Sequence, residues 1–259
     1  MATLPAVRVT SYFGRAYART WRASIMTTFV NPLLYLLAMG VGLGTFIDRS
    51  GHTAALGHVS YLQFVAPALA ASAGATTAAS ESMFPIMGAI KWQKTYYAML
   101  ATPLRVIDVM AGHLLWITIR ISMAVGSYLV VMACFGATRS VESIAILPVG
   151  VLTGAAFATP LAAFAATQDN DGAFSLVFRL GIVPLFLFSG VFFPISQLPV
   201  GLRVIAYVTP LWHGVALCRA LALGTATVAG AVGHLAYLVA VVGAGVAVAR
   251  VTFRRRLLV

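Results

Sequence analysis

Charge is scarce in this sequence: 9% of its 259 residues are Asp, Glu, Lys or Arg, and only six are acidic. Soluble domains carry about a quarter charged residues, so an ordinary water-facing surface is excluded. Cysteine is nearly absent. Cys134 and Cys218 stand in apolar surroundings without a second thiol at C-x-x-C spacing, which excludes a cysteine metal site or disulfide framework and leaves two small buried hydrophobes. There is no G-x-x-x-x-G-K-[ST] loop, so the chain cannot hold ATP in the P-loop manner, and any ATP-driven work must come from a partner. H-E-x-x-H, G-x-S-x-G and closely paired carboxylates suited to acid–base chemistry are also missing. No catalytic residue, metal or cofactor is expected.

What is present is hydrophobic. Apolar residues make up 61% of the chain and fall in long blocks, the mark of an all-α polytopic membrane protein. At roughly 20 residues per crossing the length allows about six spans with short loops and no separate soluble domain, so residues 1–259 read as one membrane domain. The net charge of +11 does not point to nucleic acid, because the basic residues flank apolar blocks and do not alternate with exposed aromatics. Anionic membrane lipids fit them better.

Residues 4–22 read as an interfacial helix: Arg8, Arg15, Arg19 and Arg22 fall on one narrow face at 100° per residue, with Val9, Tyr12, Phe13, Ala16 and Tyr17 beside it. A solvated tail with chance periodicity is the alternative. No cleaved leader is expected, since more than twenty residues with four arginines precede the first apolar block.

Spans are expected at residues 24–46, 61–84, 106–135, 143–167, 172–193 and 231–249. Asn31-Pro32 should bend the first. Residues 70–79 contain only Ala, Gly, Ser and Thr, which places the second inside the bundle. A polar loop, 48–58, joins these two. Residues 194–224 are apolar but broken by Pro199 and Pro210, so two half-helices re-entering the outer leaflet are expected there. With six crossings and both termini in the cytoplasm, eleven basic residues lie inside and four, Arg49, Arg139, Arg203 and Arg219, outside. This obeys the positive-inside rule; a seventh crossing would send Arg254, Arg255 and Arg256 out.

Arg120 stands near the middle of the third span, where a guanidinium costs roughly 3 kcal/mol unless it faces a partner, a bundle interior or water. Glu81, or its equivalent on a paired chain, is the candidate counter-ion. Contact with an anionic cargo and a purely structural ion pair are both consistent with this position. Phe186, Phe188, Phe192 and Phe193 read either as lining of the outer mouth or as an aromatic belt. His113, His213 and His234 look isolated, with packing roles.

Residues 85–104 mix aromatic and basic side chains in a short amphipathic segment able to dock on a protein or on lipid. Together with PLLYLLAMGVGLG at 32–44, YLQFVAPALA at 61–70, QKT at 93–95, ATPL at 101–104, FSGVFFP at 188–194, QLP at 197–199 and TPL at 209–211, the chain resembles the ABC-2 permease family, most closely its nodulation-factor, or lipo-oligosaccharide, export branch. The ordered set covers nearly the whole chain. The resemblance implies a type V ABC exporter fold, a coupling helix at 88–104, pairing with a second permease chain, and cytoplasmic ABC ATPase subunits. It implies outward movement of an amphipathic substrate, lipid-linked or glycolipid in type, across the plasma membrane. Lys91, Trp92, Lys94, Tyr96 and Tyr97 would then touch the ATPase, and interfacial snorkelling is their alternative role. The same machinery also suits drug or antibiotic efflux. An ion-coupled carrier is disfavoured, since no acidic residue sits clearly at a membrane midplane.

Overall fold

The computed structural model describes residues 4–49, 56 and 59–258, and among these no strand occurs. Most of the expected loop at 48–58 lies outside the described residues. The helices are α1 (Pro5–Tyr17), α2 (Trp21–Tyr35), α3 (Gly44–Arg49), α4 (Tyr61–Met87), α5 (Thr95–Leu100), α6 (Val106–Cys134), α7 (Ile146–Ala165), α8 (Gly172–Leu176), α9 (Val183–Phe188), α10 (Val200–Val208), α11 (Pro210–Leu223) and α12 (Val228–Leu257).

Three stretches of wide π turns interrupt the α-helical ladder: Leu36–Leu43, Gly88–Trp92 and Val177–Ile182. Each lies beside a proline: Pro32 precedes the first, Pro85 the second, and Pro184 follows the third. For the third the cause is direct: Pro184 has no N–H for the Leu180 carbonyl, which lies inside the stretch, and i→i+5 bonding accommodates the missing donor without ending the rod. Pro32, where a bend is expected, lies inside α2, and α2 and α3 remain one continuous rod.

Among the described residues four rods are long and apolar enough to cross a membrane: Ser24–Arg49, Val106–Cys134, Val141–Ala165 and Val228–Leu257. The α10–α11 pair, bent by 83° at Thr209, would make a fifth if counted as one span. Two expected crossings fall short of that standard for different reasons. Gly172–Phe188 is a shorter apolar rod, whereas α4 has 27 residues whose hydropathy is diluted by its small-residue run.

That same run puts α4 at the centre of the bundle, against α7, α6 and α11. A Cβ on Gly74 would come within 2.6 Å of the Gly150 carbonyl oxygen, and one on Gly154 within 2.8 Å of the Gly74 carbonyl oxygen. Only hydrogen at these positions lets the α4 and α7 backbones approach so closely. At the start of α4, Ser60 and Gln63 form a capping box, and Asp48 of α3 accepts from the Tyr61 N–H at 3.0 Å. Those contacts bring the end of the first rod to the start of α4.

The interfacial segment ends sooner than the arginine periodicity suggests. Thr20 turns its hydroxyl back to the Tyr17 carbonyl, α1 stops there, Arg19 lies in the turn and Arg22 opens α2. All four arginines are exposed. The opposite face of α1 is fixed to protein: Thr10 donates to the Gly112 carbonyl of α6 at 2.9 Å, and Val9 fills the space a Gly112 side chain would take.

Candidate functional site

Two regions gather the polar side chains. The first is a cavity of about 480 Å3 bounded by α2, α4, α6 and the α8–α9 rod. α2, α4 and α6 contribute Asn31, Thr76, Ser127 and Tyr128 to its lining, and the α8–α9 rod contributes Phe178 and Phe186. Such a lining offers both hydrogen bonds and apolar contact, as an amphipathic molecule requires.

Arg120 lines this cavity and is paired as expected. Its Nε donates to Glu81 Oε1 at 2.9 Å, and its guanidinium lies 4.6 Å from the centre of the Tyr17 ring. The pair links α6 to α4, and the ring contact adds the end of α1. Phe192 meets Phe186 edge to face at 5.0 Å, behind the cavity wall. Phe188 is exposed at the end of α9 and does not line the cavity; Phe186 does, two residues earlier on the rod.

The second region is the bundle end formed by residues 88–104, the α7–α8 turn and the last turn of α12. Lys91 Nζ donates to the Asp169 carbonyl, Arg256 pairs with the Asp169 carboxylate at 2.8 Å, and the Tyr97 hydroxyl donates to the Arg256 carbonyl at 3.5 Å. These side chains, with Lys94 and Arg255, surround a cleft of about 680 Å3. Lys91, Trp92, Lys94 and Tyr97 are exposed there. Lys94 has φ 53°, a left-handed conformation that costs a non-glycine residue about 1 kcal/mol and sharply redirects the chain between the wide turns and α5.

Tyr96 departs from expectation. It is fully buried and cannot touch a partner, because the left-handed turn at Lys94 aims it inward. Its hydroxyl is hydrogen-bonded to Nδ1 of His113 on α6, and burial holds that hydroxyl well above its ordinary titration range, so it stays protonated. Phe13 of α1 packs on the same imidazole at 4.2 Å and Phe253 of α12 lies 6.0 Å from the Tyr96 ring. His113 is therefore a junction of four segments and not an isolated packing residue. His213 and His234 are not isolated either: their Nδ1 atoms lie 2.9 Å apart.

Arg219 was legible only as an outer charge. In the structure its Nε donates to the Phe64 carbonyl at 3.0 Å and its Nη2 to the Gly190 carbonyl at 2.7 Å, with its Cζ 3.7 Å from the Phe64 ring centre. It ties α11 to the first turn of α4. At the same bundle end Arg139 donates its N–H to the Ala222 carbonyl. Nothing in residue spacing signals either contact.

The sequence profile of the ABC-2 type transporter family matches residues 9–223. Nodulation protein J of Rhizobium leguminosarum bv. trifolii is 33% identical over 209 residues, which cover 81% of this chain and 78% of that protein. Its counterpart in Rhizobium meliloti is 30% identical over 210 residues, with 81% and 78% coverage, and that of Bradyrhizobium diazoefficiens 28% over 246 residues, with 94% and 90%. A multi-rod apolar bundle and a profile spanning most of its length lead to one assignment: this chain belongs to the ABC-2 type transporter family.

Proposed function

We propose that the chain is the membrane subunit of an ATP-driven exporter moving an amphipathic, lipid-linked or glycolipid-type molecule outward across the plasma membrane. It crosses six times, by the α2–α3 rod, α4, α6, α7, the α8–α9 rod and α12, with both termini cytoplasmic and α10–α11 as a re-entrant hairpin. The grouping of contacts supports this order: segments assigned inside meet at Asp169 and Arg256, while Phe64, Gly190, Arg139 and Ala222, assigned outside, meet at the other end. Residues 1–259 form one domain.

Two such chains pair, and each receives an ABC ATPase on the 88–104 surface. Lys91, Trp92, Lys94 and Tyr97 make the contact, and Tyr96 holds the segment to α6. Arg8, Arg15, Arg19 and Arg22 face anionic lipid headgroups. ATP-driven closure of the ATPases moves the 88–104 segment; the His113 junction passes that motion to α1, α6 and α12, and the cavity containing Arg120 and Glu81 rearranges around the cargo. The likeness to nodulation protein J supports a lipo-oligosaccharide-like cargo.

One observation carries the reading. A chain of the ABC-2 family without a phosphate loop exposes an aromatic and basic surface at the bundle end where its cationic loops collect. The test is co-expression with the ATP-binding protein encoded nearest to it, followed by cargo uptake into inverted vesicles. A stable complex and ATP-dependent uptake of a fluorescent lipid-linked oligosaccharide are expected. Uptake by the purified chain alone, driven by an ion gradient, would defeat the proposal.

A further inference from the structure

We propose that His213 and His234 form a binding site for a divalent transition-metal cation of the copper class, where the α10–α11 bend meets α12. The two residues come from different helices, and their Nδ1 atoms stand 2.9 Å apart. His213 directs its Nε2–H to the Tyr207 carbonyl at 3.0 Å. That bond fixes the tautomer and leaves Nδ1 with a bare lone pair, the arrangement that outer hydrogen bonds impose on metal-binding imidazoles. Tyr237 stacks on His213 at 3.9 Å and 11°, and Trp212 packs edge-on to both imidazoles, so the rings are held by their neighbours.

In the metal-free pair, His234 Nδ1–H donates to His213 Nδ1. Metal binding needs His234 in its other neutral tautomer, with the proton moved to Nε2 through solvent and no net release, and a small rotation that turns both lone pairs to one point. The spacing suits copper. Two nitrogens at about 2.0 Å from a metal and at right angles, as in tetragonal copper, lie about 2.8 Å apart. Among the described residues there is no cluster of three or more His, Cys, Asp or Glu able to hold a metal, so water completes the coordination. A bound cation would fasten α11 to α12 and fix the bend.

The experiment uses the full-length chain in detergent, carrying no polyhistidine tag and titrated with CuCl2 in a metal-free buffer. The expected result is one cation per chain, with affinity reduced at least tenfold in both His213→Ala and His234→Ala. Electron paramagnetic resonance of the copper-loaded wild type supplies a reading independent of variant folding and should show hyperfine coupling from two imidazole nitrogens. A spectrum without imidazole coupling, or a His234→Ala chain that binds copper as tightly as wild type, overturns the site. Neither measurement involves cargo or an ATPase, so its failure leaves the export reading untouched.

Discussion

Arg120 reaches Glu81 across 2.9 Å and 39 positions of sequence, with side chains only 18% and 21% exposed. Most of both charges is therefore out of water, and each depends on the other for compensation. Removing one partner leaves a lone charge in a low-dielectric setting, which is costlier than removing both.

Arg120→Ala and Glu81→Ala should each destabilise the chain by about 3 kcal/mol, and the double variant by clearly less than the two added together. Unfolding in detergent, run as a double-mutant cycle, checks this. Additive losses would show that the pair is not coupled. Arg120→Lys keeps the charge but loses the flat guanidinium over Tyr17, and its stability should lie between wild type and Arg120→Ala.

Tyr96→Phe leaves His113 without its partner in a site that also holds an unpaired Nε2. The expected loss is about 1–3 kcal/mol. In complex with the ATPase, ATP turnover should continue while cargo moved per ATP falls severalfold.

Trp92→Ala removes an exposed indole from the 88–104 surface. Thermal stability should hold within about 0.5 kcal/mol of wild type, as for surface changes. Capture of the ATPase should weaken about 30-fold, the behaviour of an aromatic hot spot. Unchanged capture would remove Trp92 from the contact.

Glycine contacts separate packing from helix propensity. A Cβ on Gly74 meets backbone at 2.6 Å, while one on Gly233 meets nothing within 4 Å. Gly74→Ala should cost about 1–3 kcal/mol through overpacking, and Gly233→Ala should be neutral or stabilising by up to about 1 kcal/mol. Thermal unfolding of the two variants side by side decides it.

The rods were legible because hydropathy and proline act locally, and few carboxylates left Glu81 or its equivalent on a paired chain as partner of Arg120, a choice that only the packing of α4 on α6 decides. The contacts of Tyr96, His213 and Arg219 were not legible. Tyr96 was expected on the surface since its neighbours are, and only the left-handed turn at Lys94, which no sequence pattern announces for lysine, sends it inward. His213 and His234 meet because of how α11 and α12 are rotated about their axes, which depends on packing such as Gly214 against Thr153. The end of α1 was misjudged because a charge stripe can continue through a turn.

The wide turns flanking the cavity, one directly after Tyr35 and one containing Phe178 and Ile182, give two of its walls spare length. Each such turn stores one surplus residue. Sliding that surplus one step along the rod swivels the intervening side chain by about 100° while the number of backbone bonds stays constant. A cavity walled this way can re-aim a ring such as Phe178 without its rods tilting apart.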